Sequence, residues 1–141
     1  MAAGKDPING DDYVHESPFA KLLDMRVTDP EDGTSTVYMP INSNHLQLAG
    51  RVQGGIVVAL ADYSFFRAVK PLLQPGEATT TIELKLNFLA PAIEGVLTAN
   101  TKIVSSGERA IVGETEVKDQ DGTLIAQSLG TYLRIQPRTG T

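Results

Sequence analysis

Gln53-Gly54-Gly55-Ile56-Val57-Val58-Ala59-Leu60-Ala61-Asp62 opens on a glycine pair, runs on as an apolar segment and meets a carboxylate at its tenth position. Carried past Tyr63 and Phe66 to Lys70, where Pro71 stops it, this stretch predicts a helix over residues 54–70. A helix that is apolar all round is expected to be buried all round. Asp62 interrupts that surface, and the basic residues Arg67 and Lys70 come only near the exit.

On the C-terminal side the pattern changes. After the turn Gln74-Pro75-Gly76, Ile82, Leu84, Leu86 and Phe88 alternate with Thr81, Glu83, Lys85 and Asn87, the period-two signature of a strand over 79–89. Strands over 96–104, 110–117 and 124–135 follow, joined by Ser105-Ser106-Gly107 and Asp119-Gln120-Asp121-Gly122. On the N-terminal side, Ser17-Pro18 with Phe19, Leu22 and Leu23 reads as a short capped helix. Strands over 25–28 and 34–39 flank the turn Pro30-Glu31-Asp32-Gly33. Long strands joined by hairpins favour an antiparallel sheet, and a single apolar helix must pack on one face of it. The fold class is therefore α+β, an antiparallel sheet wrapped round one long central helix, the hot-dog architecture. Ala59 and Ala61 are expected to let the sheet approach closely. The domain is placed at 17–135, with a flexible N-terminal segment at 1–16 and a C-terminal tail at 136–141.

Composition excludes several classes. The 141 residues are 41% hydrophobic and 21% charged with a net charge of −5, enough for a core and without a basic footprint for nucleic acid or anionic lipid. The absence of cysteine removes disulfides, thiolate zinc sites and a thiol nucleophile, and two histidines make a multi-histidine metal site improbable. The apolar run 56–61 is far too short to span a bilayer. The expectation is a soluble, cytoplasmic protein with no metal or redox cofactor and no nucleic-acid or membrane partner.

The run 53–62 resembles the His-Gly-Gly, apolar helix, Ala-Asp signature of hot-dog thioesterases of the phenylacetate-pathway (PaaI-like) group. Residues 81–92, Thr81-Ile82-Glu83-Leu84-Lys85-Leu86-Asn87-Phe88-Leu89-Ala90-Pro91-Ala92, resemble that group's next strand. Glu94-Gly95 and the run Asp121 to Ala126 fit its later turns. The resemblance covers roughly 17–135. It implies hydrolysis of acyl-CoA thioesters at a site shared between two chains. A backbone N–H at Gly54 or Gly55 would meet the thioester carbonyl, since the first N–H groups of a helix lack partners and carry partial positive charge. Asp62 would be the nucleophile or the general base. Gln47, fifteen positions earlier, would hold the thioester or the water, and a hydroxyl at Thr81, with Thr80 as the neighbouring alternative, would orient the water. The family's common histidine is replaced by Gln53, which donates a hydrogen bond but does not titrate; His45 is a candidate to fill the gap. Phe66 is a candidate for lining the acyl pocket. Arg109, and behind it Arg51 and Lys102, are candidates for the CoA phosphates.

Two other functions fit parts of the same sequence. Gln53 is compatible with a non-catalytic acyl-CoA binding or sensing protein, and Asn42-Ser43-Asn44-His45 has a faint likeness to an enoyl-CoA hydratase or dehydratase run. Assembly as a homo-oligomer, a dimer or a dimer of dimers, is expected because a short curved sheet leaves an edge unpaired.

Overall fold

The structure, a computed structural model, describes residues 6–28 and 33–136. Helix α1 (Pro18–Leu23) is capped by the Ser17 hydroxyl, which accepts from the Ala20 N–H. Strands β1 (Arg26–Val27) and β2 (Thr34–Pro40) come next, then a short 3-10 turn at Ser43–His45 and helix α2 (Gly54–Val69). Strands β3 (Ala78–Phe88), β4 (Val96–Ser106), β5 (Ala110–Lys118) and β6 (Leu124–Ile135) complete the chain. One six-stranded sheet results, in the order β1-β2-β4-β5-β6-β3, with every neighbouring pair antiparallel. The sheet curves round α2, and the fold is the hot-dog architecture.

The core lies between α2 and the sheet. Leu60, Ala61, Phe65 and Val69 of the helix meet Val37, Leu97, Ala99, Ile111 and Val117 of β2, β4 and β5, all fully buried. Two sheet glycines lie directly under the helix. Gly113 and Gly130 are cross-strand partners, and a Cβ on Gly113 would stand 2.1 Å from the Phe65 ring. Ala61 is buried as expected, whereas Ala59 is only half-buried.

The helix is not buried all round. Gly55, Val58, Ala59, Asp62, Tyr63 and Phe66 form a half-open stripe that the chain's own sheet leaves uncovered. The strand β3 is the far edge of the sheet and has no fully buried residue, with Ile82 and Phe88 more than half exposed.

Part of the N-terminal segment is in contact with the domain. Val14 bridges to Val27, Glu16 pairs with Arg67 and Lys70, and Arg26 donates to the carbonyls of Pro7 and Ile8. Residues 1–5, the turn residues 29–32 and the tail 137–141 lie outside the described residues. Among the described residues no helix is long and apolar enough to cross a membrane.

Candidate active site

The stripe on α2 forms one wall of a cleft of about 560 Å³. Phe19 of α1 and Thr81, Leu84 and Tyr132 of the sheet line the rest. Asp62 carries the only carboxylate among these lining residues. The Thr81 hydroxyl donates to Asp62 Oδ1 at 2.8 Å, and the Tyr132 hydroxyl donates to the same oxygen at 2.9 Å and to the Asp62 backbone carbonyl at 3.0 Å. Oδ2 has no hydrogen-bond partner among the described residues. A carboxylate fixed through one oxygen, with the other left free in an apolar cleft, is equipped to attack an electrophilic carbon or to take a proton from water.

Thr81 reaches Asp62 because β3 is irregular. Its register with β6 pairs Thr81 with Tyr132 and then Glu83 with Thr131, leaving Ile82 as the extra residue of a bulge. Strict alternation would set Thr81 and Leu84 on opposite faces. The bulge puts both on the cleft side and turns Ile82 out to 56% exposure. Thr80 is exposed and is not among the residues lining the cleft.

The start of α2 is open. No hydrogen bond from the Gln53 side chain caps the helix, and the first helical bonds run from the N–H groups of Ile56 and Val57 to the Gln53 carbonyl. The N–H groups of Gly54 and Gly55 therefore have no acceptor among the described residues. A Cβ on Gly54 would press on the Phe88 ring at 3.3 Å, whereas nothing lies within 4 Å of the corresponding point on Gly55, which itself lines the cleft. Unpaired amides at a helix N-terminus, approachable at a side-chain-free residue, suit a developing oxyanion.

Several expected site residues lie elsewhere. His45 is 1% exposed; its Nδ1 accepts from the Asn42 N–H and its Nε2 donates to the Leu23 carbonyl at 2.7 Å, so both ring nitrogens are engaged within the chain. Gln47 sits in the narrow loop closed by the bridge Leu46–Val52, and its amide oxygen accepts from the Ala49 N–H. Gln53 is exposed just before the helix. Neither glutamine lines the Asp62 cleft of its own chain. Arg109 is exposed in the β4–β5 hairpin and also lies outside that cleft, as do Arg51 and Lys102. Phe66 does line it.

Tyr132 is the residue that sequence reasoning missed. It follows Asp62 by 70 positions, and its only signal is register, since it pairs across the sheet with Thr81. Tyr63, beside Asp62, has an enclosed hydroxyl with no hydrogen-bond partner among the described residues. Burial, aided by the nearby Glu16 carboxylate, pushes that hydroxyl up to about 12.

Comparison with known proteins agrees with the fold. Residues 49–126 match the family model described as the thioesterase superfamily. A protein of Saccharolobus solfataricus, provisionally named an esterase, is 31% identical over 136 residues, which cover 95% of this chain and 96% of that one. A 1,4-dihydroxy-2-naphthoyl-CoA hydrolase of Listeria monocytogenes is 24% identical over 108 residues, 77% of this chain and 88% of that one. The solved PaaI protein of the E. coli phenylacetic acid degradation operon superposes with a TM-score of 0.79 at 25% identity, covering 86% of this chain and 87% of that one.

Proposed function

The chain belongs to the thioesterase superfamily, and from that premise we propose that it hydrolyses an acyl-CoA thioester to the free acid and CoA at a site built from two copies of the chain. The observation that carries the reading is Asp62, held by two hydroxyls through Oδ1 in an apolar cleft, on the same helix stripe as the unpaired amide of Gly55. The thioester oxygen would sit on the amide, where the helix dipole stabilises the charge that develops as the carbonyl carbon becomes tetrahedral. Asp62 acts on that carbon, directly or through a water it deprotonates. Either route consumes one water and releases CoA as the thiol.

The spacing along α2 supports sharing between copies. Asp62 follows Gly55 by seven residues, nearly two turns and about 10 Å of helix. A carbonyl held by the Gly55 amide therefore lies too far from the Asp62 of the same helix. A two-fold axis crossing α2 between Val58 and Ala59, midway between the two residues, would set the Gly55 of one copy opposite the Asp62 of the other. The uncovered stripe and the exposed edge strand β3 suit such a dimer. The likeness to a naphthoyl-CoA hydrolase and the aromatic rings of Phe19, Tyr63 and Phe66 in the cleft support an apolar, aromatic acyl group.

The test is release of free thiol from a panel of aryl- and alkyl-CoA thioesters, followed with a thiol reagent. The wild-type protein is expected to turn over at least one, and Asp62→Asn to lower kcat by roughly 10²–10⁴-fold with the circular dichroism spectrum unchanged. Undiminished turnover in that variant would remove the assignment. Tight acyl-CoA binding by the wild-type protein without thiol release would establish a binding protein instead.

A further inference from the structure

We infer that Tyr132 is a positioning residue of this site: its hydroxyl clamps Oδ1 of Asp62, so that Oδ2 alone is presented to the reacting carbonyl. The inference rests on the hydrolase reading and adds to it a residue from the opposite end of the chain. Its hydroxyl donates to both the side chain and the backbone carbonyl of Asp62, at 2.9 and 3.0 Å, tying the carboxylate to its own helix turn. Thr81 completes the grip from the neighbouring strand. With both donors on one oxygen, rotation about the Cβ–Cγ bond would break two hydrogen bonds at once.

The support beneath Tyr132 is rigid. The residue is 3% exposed, and its ring meets the Phe65 ring edge-on with centroids 4.4 Å apart. Phe65 in turn lies against Gly113 and Gly130, a cross-strand glycine pair of β5 and β6. Position is thus passed from sheet backbone to Phe65, to Tyr132, to the carboxylate. Burial, with the Asp62 charge beside it, pushes the Tyr132 hydroxyl above the ordinary tyrosine range, so it remains a donor wherever the enzyme works. It does not exchange protons with substrate; its contribution is geometric, of the kind in which a small misplacement of the reacting group costs rate rather than binding.

Tyr132→Phe keeps the ring and removes the clamp. The expected result is a kcat lower by roughly 10–100-fold with KM within about twofold of wild type, in a protein of unchanged circular dichroism and oligomeric state. A kcat equal to wild type overturns the positioning role while leaving the hydrolase reading intact. A wild-type protein that releases no thiol from any acyl-CoA on the panel overturns both. Should Tyr132→Phe fail to fold, the wild-type protein answers by NMR. A slowly exchanging tyrosine hydroxyl proton is expected, and its resonance is expected to shift in Asp62→Ala, where only the bond to the backbone carbonyl of residue 62 remains; the absence of any such proton, or one unmoved by Asp62→Ala, refutes the clamp.

Discussion

Thr80 and Thr81 are adjacent residues of one type with opposite surroundings. Thr81 donates to the Asp62 carboxylate, whereas Thr80 is exposed and lies outside the cleft. A hydrogen bond to a charged group contributes about 1.5–3 kcal/mol, so a Thr81→Val protein is expected to lose roughly 10–100-fold in kcat. Thr80→Val, under the same substrate, is expected to stay within about twofold of wild type. Equal losses in the two variants, or none in either, would contradict the arrangement. The sequence narrows the hydroxyl to this pair and no further, because the choice depends on a bulge at Ile82 that alternation of residue types does not show. The hydrogen bonds of His45 are hidden from the sequence for a related reason. A histidine near a helix start is compatible with a ligand role or with a loop tie, and only the positions of the Asn42 N–H and the Leu23 carbonyl reveal the tie.

At the scale of elements, α2 and the strands are legible because their punctuation is strong. Gly54-Gly55 and Pro71 bracket the helix, and turn residues bracket each later strand, so the observed ends differ from the expected ones by two residues at most. What sequence does not reveal is which part of a uniformly apolar helix remains uncovered. The buried and the half-open faces of α2 carry similar residues, Leu60 and Ala61 on one and Val58 and Ala59 on the other. Only the placement of the sheet separates them, and part of that placement is long-range: Phe65 lies against Gly113 and Gly130, seventeen positions apart in sequence but paired across β5 and β6. The helix entry gives a sharp test of the half that faces the cleft. Gly55→Ala adds a methyl group where the chain has open space, and it replaces the residue of greatest backbone freedom within a helix. Its thermal midpoint is expected to match or exceed that of wild type, by up to about 1 kcal/mol of stability. Its kcat/KM is expected to fall by roughly tenfold or more, because the methyl would stand beside the amide proposed to receive the thioester oxygen. A stable Gly55→Ala protein with wild-type kcat/KM would show that this amide does not touch substrate.

At the scale of the whole molecule, the proposed site needs two copies of the chain. Its carboxylate and its open amides lie on one stripe, nearly two helical turns apart, facing out of the fold. In a symmetric dimer each site would take Asp62 from one copy and the helix start from the other, which makes complementation the decisive measurement. Asp62→Ala and Gly55→Val homodimers are each expected to be inactive, since every site in them carries one defect. In a mixed dimer both defects fall in the same site, and the second site has an intact Asp62 facing an intact Gly55. Equal amounts of the two chains, unfolded together and refolded, give half of their dimers mixed, so about a quarter of wild-type activity is expected to return. The two proteins merely combined after folding show how fast subunits exchange, through the slow appearance of the same activity. If each site were complete within one chain, no mixture would regain activity, because every chain in it would still carry a defect of its own.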